Sequence, residues 1–318
     1  MNSHNTIAST NPLPGVAASL QAQYAGLVQR LHALAPLAIA FSGGLDSRFL
    51  AFTAARAGLA PLLVHAHGPH VPQHETLAAQ EWATRHNLRL LQVYFTPLEA
   101  VDLANSGTQR CYHCKKTLFA VLQQALANAE AAGGAPGQGA YTLCDGTNAS
   151  DIKTFRPGLK ALQEAGIISP LAEAGLEKNS VRVLGQALGL EWAQQPATPC
   201  LLTRFPYGVV PSCSQLATLA EGEKQLAALL HPLLEPLGPE GGLRLRCPHA
   251  QPGGQEQPDA HGQAGDVPPL LVAELHTSVP LPAKWEEKVR AALLPLGIAL
   301  AGLVCQTALS GYYDIKSS

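Results

Sequence analysis

A six-residue turn, SGGLDS at residues 42–47, combines the side chains and glycines that can hold a phosphate group. Gly43 and Gly44 carry no side chain, so backbone N–H groups can approach an anion closely there. Ser42 and Ser47 add hydroxyl donors, and the helix predicted to follow would present its positive N-terminus to the same anion. The turn therefore predicts a phosphate-binding site.

One carboxylate, Asp46, lies within this turn. A carboxylate repels phosphate unless it also binds a cation, so Asp46 predicts Mg²⁺ carried with a nucleotide. The turn lacks the Lys of the Walker A pattern and the G-x-G-x-x-G of dinucleotide sites. SGGxDS resembles the signature of the PP-loop ATP pyrophosphatases, which split ATP into AMP and pyrophosphate while adenylating a substrate. The alternative is an ordinary strand-to-helix turn containing a glycine pair.

Three cysteines form a second group of reactive side chains. Cys111 and Cys114 make a C-x-x-C just before a predicted helix, a spacing that lets two thiolates reach one metal ion. The same spacing occurs in zinc sites, in dithiol redox sites and in pairs of buried cysteines. Cys200 follows in a turn-rich segment, where the cation of Arg204 could activate the thiol or hold an anionic substrate. The alternative for Cys200 is a buried cysteine that packs as a small hydrophobic residue.

The N-terminal half alternates predicted strands and helices, as doubly wound α/β folds do. Strands are predicted over 38–41, 62–65, 88–93 and 141–144, and helices to Ala57, over 74–86 and over about 114–130. Ligands of such sheets bind beyond the carboxyl ends of the strands. This rule brings SGGLDS, the turn at 65–69 and the segment Asp145-Gly146-Thr147-Asn148 to one crevice. We therefore predict Gly146, Thr147 and Asn148 as further nucleotide-binding residues.

The composition changes after Pro211, where a smaller α+β region is predicted. It contains a helix over 214–234 and strands over 243–246 and 270–275, separated by a Pro-, Gly- and Gln-rich stretch at 247–269 that predicts a disordered loop. Residues 291–313 carry no charge, but prolines and glycines interrupt them, which favours a helix end, a turn and a buried strand over a membrane span. The predicted parts are an N-terminal tail and helix (1–32), an ATP pyrophosphatase domain (33–211) and an α+β domain (212–318).

The overall composition is that of a globular enzyme, with 47% hydrophobic and 14% charged residues in 318. A formal net charge of -2 without a basic cluster gives no reason to expect a nucleic-acid partner. The first residues show no secretory signal, which predicts a cytoplasmic protein. The seven cysteines are then expected to be thiols or ligands rather than disulfides. Core or surface thiols are expected at Cys144, Cys213, Cys247 and Cys305.

Five motifs in order resemble the LarE family. They are RCYHCKK (110–116), DGTNASD (145–151), FRPGLKAL (155–162), SPLAEAGLEKNSVRVLGQALGL (169–190) and PATPCLLTRFPYG (196–208). Members of this family are ATP-dependent sulfur transferases that make the nickel-pincer nucleotide of lactate racemase. The resemblance implies adenylation of a carboxylate of a pyridinium biscarboxylic acid mononucleotide, followed by its conversion into a thiocarboxylate. It also implies a sulfide or other sulfur donor as partner, and a homo-oligomer.

The resemblance leaves two sources of sulfur open. Members with only the cysteine that matches Cys200 give up its sulfur and keep dehydroalanine in its place. Members that also carry the C-x-x-C resemble iron–sulfur tRNA thiolases, in which three cysteines hold a 4Fe-4S cluster with one open iron. Because Cys111, Cys114 and Cys200 are all present, we favour the cluster over sacrifice of Cys200.

The same resemblance implies further substrate-binding residues. Arg244 and Arg246 match arginines that hold the substrate phosphate, Arg156 and Arg204 lie in motifs expected to face the catalytic cavity, and Glu223 matches an acidic residue. A solvated strand face is the alternative for Arg244 and Arg246.

Two features depart from the family pattern, namely the inserted stretch after Arg246 and a C-terminus that lacks an arginine after its Gly-aromatic pair. The alternative functions are a PP-loop tRNA thiolase, an ammonia-using amide-forming synthetase, and a non-catalytic nucleotide- or iron–sulfur-binding module.

Overall fold

The structure, a computed structural model, describes residues 13–133, 140–153, 157–250 and 271–306, together with Leu309 and Tyr313. The chain divides into two compact units. The first holds the described residues of 1–66, 75–95 and 115–195, and the second holds those of 67–74, 96–114 and 196–318. The units interleave along the chain, whereas the predicted domains are consecutive segments. The predicted boundaries after residues 32 and 211 stay a prediction.

Helices and strands alternate from Ala18 to Tyr94, and one further strand lies among the helices that follow up to Leu188. The chain begins with α1 (Ala18–Leu34), β1 (Leu37–Ala40), α2 (Leu45–Arg56), β2 (Leu62–His67), α3 (Gln73–Arg85) and β3 (Leu90–Tyr94). It continues with α4 (Pro97–Ala100), α5 (Arg110–Gly133), β4 (Thr142–Cys144), α6 (Ala149–Ile152), α7 (Pro157–Glu164), α8 (Pro170–Glu173) and α9 (Lys178–Leu188).

The four strands form one sheet in the order β3-β2-β1-β4, and β1 pairs in parallel with both β2 and β4. Successive residues of β1 pack into different hydrophobic clusters. Leu37 and Ile39 join residues of α1, α2 and α3, whereas Ala38 joins residues of α5 and α7. A strand buried on both faces is typical of a parallel sheet covered by helices on both sides. The predicted doubly wound α/β fold is confirmed.

The second unit contains a smaller mixed sheet. Its elements are α10 (Cys213–Leu234), β5 (Leu243–Arg246), β6 (Leu271–Thr277), α11 (Ala283–Leu293) and β7 (Ile298–Cys305). In the order β5-β6-β7, β5 is antiparallel and β7 parallel to β6. Helix α10 begins with a capping box in which Ser212 and Gln215 exchange side chain-to-backbone hydrogen bonds. This unit supplies the predicted α+β region.

Two details of the sequence prediction were wrong. Helix α5 begins at Arg110, so the C-x-x-C lies within its first turn rather than before it. The strand predicted as buried, β7, is buried at Ile298 and Leu300 but partly exposed beyond them. Most of the predicted 247–269 loop lies outside the described residues, as does Arg156. Within the ranges that are described, no helix has both the length and the apolar composition needed to cross a bilayer.

Candidate active site

The SGGLDS turn joins β1 to α2. Gly43 has φ of +76°, a left-handed conformation that favours glycine. Gly44 is the N-cap of α2 and carries no side chain that could cap the helix. The hydroxyl oxygens of Ser42 and Ser47 lie 3.2 Å apart, and Ser47 Oγ donates to the carbonyl of Gly44 at 3.1 Å. The N-terminus of α2 therefore presents backbone donors of the kind that bind phosphate.

The turn after β4 packs directly against the start of α2. A Cβ atom placed on Gly146 would lie 2.8 Å from the backbone nitrogen of Ser47, closer than side chains normally approach backbone. The structure thus brings two predicted segments together, SGGLDS and 145–148. The close approach explains why residue 146 has no side chain.

Asp46 is held from two sides within the first unit. Its Oδ2 accepts a hydrogen bond from Lys178 Nζ at 2.5 Å, and its Oδ1 accepts one from Asn148 Nδ2 at 3.3 Å. Lys178 is the first residue of α9, and Asn148 caps α6 in a capping box with Asp151. Lys178 was missed by the sequence analysis. Its position inside the SPLAEAGLEKNS motif was the one feature of the sequence that could have marked it as a site residue. Nothing in the sequence pairs it with Asp46.

A buried carboxylate supports the turn after β4. Asp145 accepts hydrogen bonds from Thr147 Oγ1 at 2.5 Å and from Ser169 Oγ at 2.6 Å. The hydroxyl of Thr147, predicted as a nucleotide ligand, therefore points to Asp145. Because both hydroxyl groups donate to the same carboxylate, Asp145 fixes the backbone of the turn that carries Gly146 and Asn148.

In the second unit, Cys200 lies at the start of a short 3₁₀ turn, Leu201–Arg204. Cys200 and Cys114 are both partly buried and pack against the hydrophobic core of this unit, whereas Cys111 is exposed. The amide of Leu201 donates to the carbonyl of His70 at 3.0 Å. The cysteine is thus held in a defined turn.

Arg204 forms a buried ion pair with Glu223. The Nε and Nη2 atoms of Arg204 each donate to a carboxylate oxygen of Glu223 at 2.7 Å. Its Nη1 atom donates to the carbonyl of Pro199 at 3.1 Å and to Thr203 Oγ1 at 2.7 Å. Glu223 also accepts from the amide of Leu245 at 2.8 Å. A guanidinium engaged in this way binds the protein itself, so a substrate-binding role for Arg204 stays a prediction.

Arg244 and Arg246 are buried on β5, which excludes the alternative of a solvated strand face. Arg244 donates to the carbonyls of Leu243 and Ala197, and Arg246 donates to those of Thr203 and Leu309. On β6, His276 lies opposite Arg244 and Glu274 lies opposite Arg246. The predicted binding of a substrate phosphate by these arginines stays a prediction.

The remaining cysteines are of two kinds. Burial raises the pKa of the Cys144 thiol to about 12, and the nearby charge of Asp145 adds to the effect. Burial likewise raises the pKa of Cys247 to about 12, with a contribution from Glu223. Both thiols are protonated at neutral pH and so are poor nucleophiles. Cys213 and Cys305 are exposed.

Comparisons with known proteins agree with this arrangement. Residues 24–120 match the family model described as asparagine synthase. An uncharacterized protein of Methanocaldococcus jannaschii is 28% identical over 188 residues, 59% of this chain and 68% of that protein. The pyridinium-3,5-bisthiocarboxylic acid mononucleotide synthase of Lactiplantibacillus plantarum is 29% identical over 240 residues, 74% of this chain and 83% of that protein. An uncharacterized protein of Synechocystis is 34% identical over 193 residues, 60% of this chain and 68% of that protein. The chain belongs to the LarE family.

Membership of the LarE family makes the protein an ATP-using enzyme with a PP-loop nucleotide fold, which uses ATP with Mg²⁺. The described residues fit this pair. Glycine-lined backbone amides at the start of α2 suit phosphate, and the carboxylate of Asp46, whose side chain is 22% exposed, suits Mg²⁺. A bound Mg²⁺ would neutralise charge on the phosphates.

The 4Fe-4S cluster predicted from the LarE family resemblance is not shown by the described side chains and stays a prediction. Among the residues that the structure describes, no three His, Cys, Asp or Glu side chains come together as a metal-binding group. Cys111 and Cys114 are three residues apart in the first turn of α5, but they do not form such a group with Cys200. No step of the chemistry below passes through a cluster.

Proposed function

We propose that this protein is an ATP-dependent sulfur transferase that acts on a pyridinium biscarboxylic acid mononucleotide. One observation carries the proposal. The same chain contains the SGGLDS nucleotide site around Asp46 and a cysteine, Cys200, in a turn that is held by hydrogen bonds from Arg204. The Lactiplantibacillus plantarum relative is a pyridinium-3,5-bisthiocarboxylic acid mononucleotide synthase, and its name supplies the proposed substrate class.

The first half-reaction is adenylation of the substrate carboxylate. A carboxylate oxygen attacks the α-phosphorus of ATP, the bond to the β-phosphate oxygen breaks, and pyrophosphate leaves. The amides at the start of α2 would hold the leaving pyrophosphate, and Asp46 would hold the metal ion that accompanies ATP. No protein base is needed, because the attacking carboxylate is already ionised.

The second half-reaction replaces AMP by sulfur. In the sacrificial route, Cys200 Sγ attacks the acyl carbon, AMP leaves with the carboxylate-derived oxygen, and a thioester forms. A base then removes the Cα proton of Cys200, the Cβ–Sγ bond breaks, and a thiocarboxylate leaves dehydroalanine behind. With external sulfide, the sulfide attacks the acyl carbon instead and Cys200 keeps its sulfur. The resemblance favours a cluster as the sulfide carrier, and this stays a prediction.

The test measures pyrophosphate release and thiocarboxylate formation with and without candidate pyridinium mononucleotides. Asp46→Asn is expected to lower both by at least about a hundredfold, because it removes the metal-binding carboxylate. Cys200→Ser is expected to keep pyrophosphate release and to lose thiocarboxylate. Pyrophosphate release by Asp46→Asn at the wild-type rate would contradict the proposed ATP site.

The competing functions give different products in the same assay. An amide-forming synthetase would consume ammonia and be insensitive to Cys200→Ser, a tRNA thiolase would need tRNA for turnover, and a binding module would release no pyrophosphate. Anaerobic purification with assays for iron and acid-labile sulfide separates the sulfur sources. A colourless, iron-free protein that loses one sulfur from Cys200 per turnover would contradict the cluster. The homo-oligomer and the cytoplasmic location stay predictions.

A further inference from the structure

Four buried arginines of the second unit donate to the backbone of one short segment. Of the five arginines buried among the described residues, only Arg48 lies in the other unit. We define the Cys200 loop as residues 197–206. The buried arginines around it and their exposed fractions are Arg110 (5%), Arg204 (3%), Arg244 (8%) and Arg246 (2%).

The carbonyls of the Cys200 loop accept from these arginines along its whole length. Arg244 donates to Ala197, Arg204 to Pro199 and, at 3.5 Å, to Cys200, and Arg246 to Thr203. Arg110 Nη1 donates to Phe205 at 3.2 Å and to Pro206 at 3.3 Å. Burying a guanidinium costs free energy unless it is paired and hydrogen-bonded. Four buried guanidinium groups around ten residues therefore indicate a specific role for this segment.

Arg110 has a second contact that extends this arrangement. Its guanidinium lies over the ring of Tyr207, and the Cζ atom of Arg110 is 4.7 Å from the ring centroid, which is a cation–π geometry. Arg110 is also the first residue of α5 and directly precedes Cys111. The same side chain therefore ties the start of the Cys111–Cys114 turn to the end of the Cys200 loop.

Arg204 fixes the other side of Cys200. Its position is set by the two hydrogen bonds that it donates to Glu223, and Glu223 is itself tied to β5 because it accepts from the amide of Leu245. The hydroxyl of Thr203 accepts from Arg204 and donates to the carbonyl of Cys200 at 2.8 Å. The backbone of Cys200 is thus held directly by Arg204 and through Thr203.

We propose that Arg110 and Arg204 are positioning residues that fix Cys200 for sulfur transfer, and this inference rests on the proposed function. They act through the backbone of the Cys200 loop, to whose carbonyls both donate. Arg110 also ties the start of α5, which carries the C-x-x-C, to the Cys200 loop. A planar guanidinium suits this task because it reaches two neighbouring carbonyls while stacking on a ring, which an ammonium does not reproduce.

The test compares Arg110→Lys with Arg290→Lys. Arg290 is the matched control because its Nη1 atom donates to the carbonyl of Leu300 at 2.7 Å in the same unit, outside the Cys200 loop. In Arg110→Lys, we expect hydrogen exchange of the loop amides to rise at least about tenfold and thiocarboxylate formation to fall at least about tenfold, with pyrophosphate release within about twofold of wild type. Arg290→Lys is expected to leave all three unchanged.

Unchanged loop exchange in Arg110→Lys, or an equal fall in both half-reactions, would overturn the inference. If Arg110→Lys does not fold, Tyr207→Leu removes only the ring beneath the guanidinium, and the same rise in loop exchange is expected on a smaller scale. Hydrogen exchange uses no substrate, so it tests the positioning role even if no mononucleotide yields a thiocarboxylate. Failure of the proposed function would instead appear as absent thiocarboxylate in wild type together with the expected exchange result.

Discussion

At the scale of single residues, Asp46 shows how a carboxylate is tolerated in a turn that binds anions. In this structure the ammonium of Lys178 and the amide of Asn148 occupy its two oxygens. A metal ion arriving with ATP must compete with an existing cation rather than enter a vacant acidic site. The sequence identified Asp46 from its turn, but Lys178 lies 132 residues later in the chain, so only folding could pair them.

The buried thiol of Cys144 predicts a pH-dependent stability. Its folded pKa is about 12, whereas a thiol in the unfolded chain titrates near about 8.5. The stabilising contribution is therefore complete below the unfolded pKa and is lost as pH rises toward the folded one. Between about pH 9 and pH 11, the free energy of unfolding should fall by about 1.4 kcal/mol per pH unit because of this group.

Urea denaturation at several pH values measures this effect. Cys144→Ala removes the titrating thiol and also loses packing in the core, and the packing loss does not depend on pH. The difference in the free energy of unfolding between this variant and wild type should therefore shrink as pH rises. Cys213→Ala serves as the control for removing a thiol at an exposed position instead of a buried one. A constant difference for Cys144→Ala would show that the Cys144 thiol ionises in the folded protein.

At the scale of elements, the sequence predicted what depends on local pattern. The strand at β5 was predicted to its exact ends, and β1 and β2 to within one or two residues, because charge-free or alternating runs ended at glycines and prolines. The start of α5 was missed because tertiary contacts of Arg110 hold it in the helix. The carbonyl acceptors of the buried arginines could not be predicted either, since every residue offers a carbonyl and the sequence does not mark which are used.

The link between α10 and β5 predicts a large stability effect of Glu223. In Glu223→Ala, Arg204 stays buried without its carboxylate and the amide of Leu245 loses its acceptor. We expect a loss of about 3–5 kcal/mol in the free energy of unfolding of the second unit. Urea denaturation followed by circular dichroism measures it.

Glu286→Ala is the control for this effect. Glu286 accepts from Arg290 at 2.7 Å on the exposed face of α11, so its removal should cost less than about 1 kcal/mol. Similar losses in the two variants would mean that the Arg204–Glu223 pair contributes no more than a surface ion pair.

At the scale of the whole molecule, ligand binding should stabilise the protein through the first unit. A non-hydrolysable ATP analogue with Mg²⁺, present at about one hundred times its dissociation constant, is expected to add about 2.7 kcal/mol. Gly146→Ala should abolish this gain, because the added Cβ would meet the Ser47 nitrogen at the start of α2. The midpoint of thermal unfolding with and without the nucleotide measures the effect.

Gly26→Ala is the matched control for Gly146→Ala. Gly26 lies in α1 of the same unit, and an added Cβ there would meet no atom within 4 Å. In the absence of nucleotide, the midpoint of thermal unfolding of Gly26→Ala should rise slightly, because alanine favours a helix. The rise in this midpoint on adding nucleotide should equal that of wild type. If nucleotide raised the unfolding midpoint of Gly146→Ala as much as that of wild type, the phosphates would bind elsewhere than at the start of α2.

The interleaving of the two units also bears on how the protein is made. Residues 67–74 and 96–114 leave the ribosome well before the residues of 196–306 that complete their unit. All residues of the first unit have been synthesised once the chain reaches residue 195. At that point the two early segments, which include both cysteines of the C-x-x-C, still lack the later residues of their own hydrophobic core. Nascent chains stalled before residue 200 should therefore expose the C-x-x-C thiols and bind chaperones that recognise apolar segments.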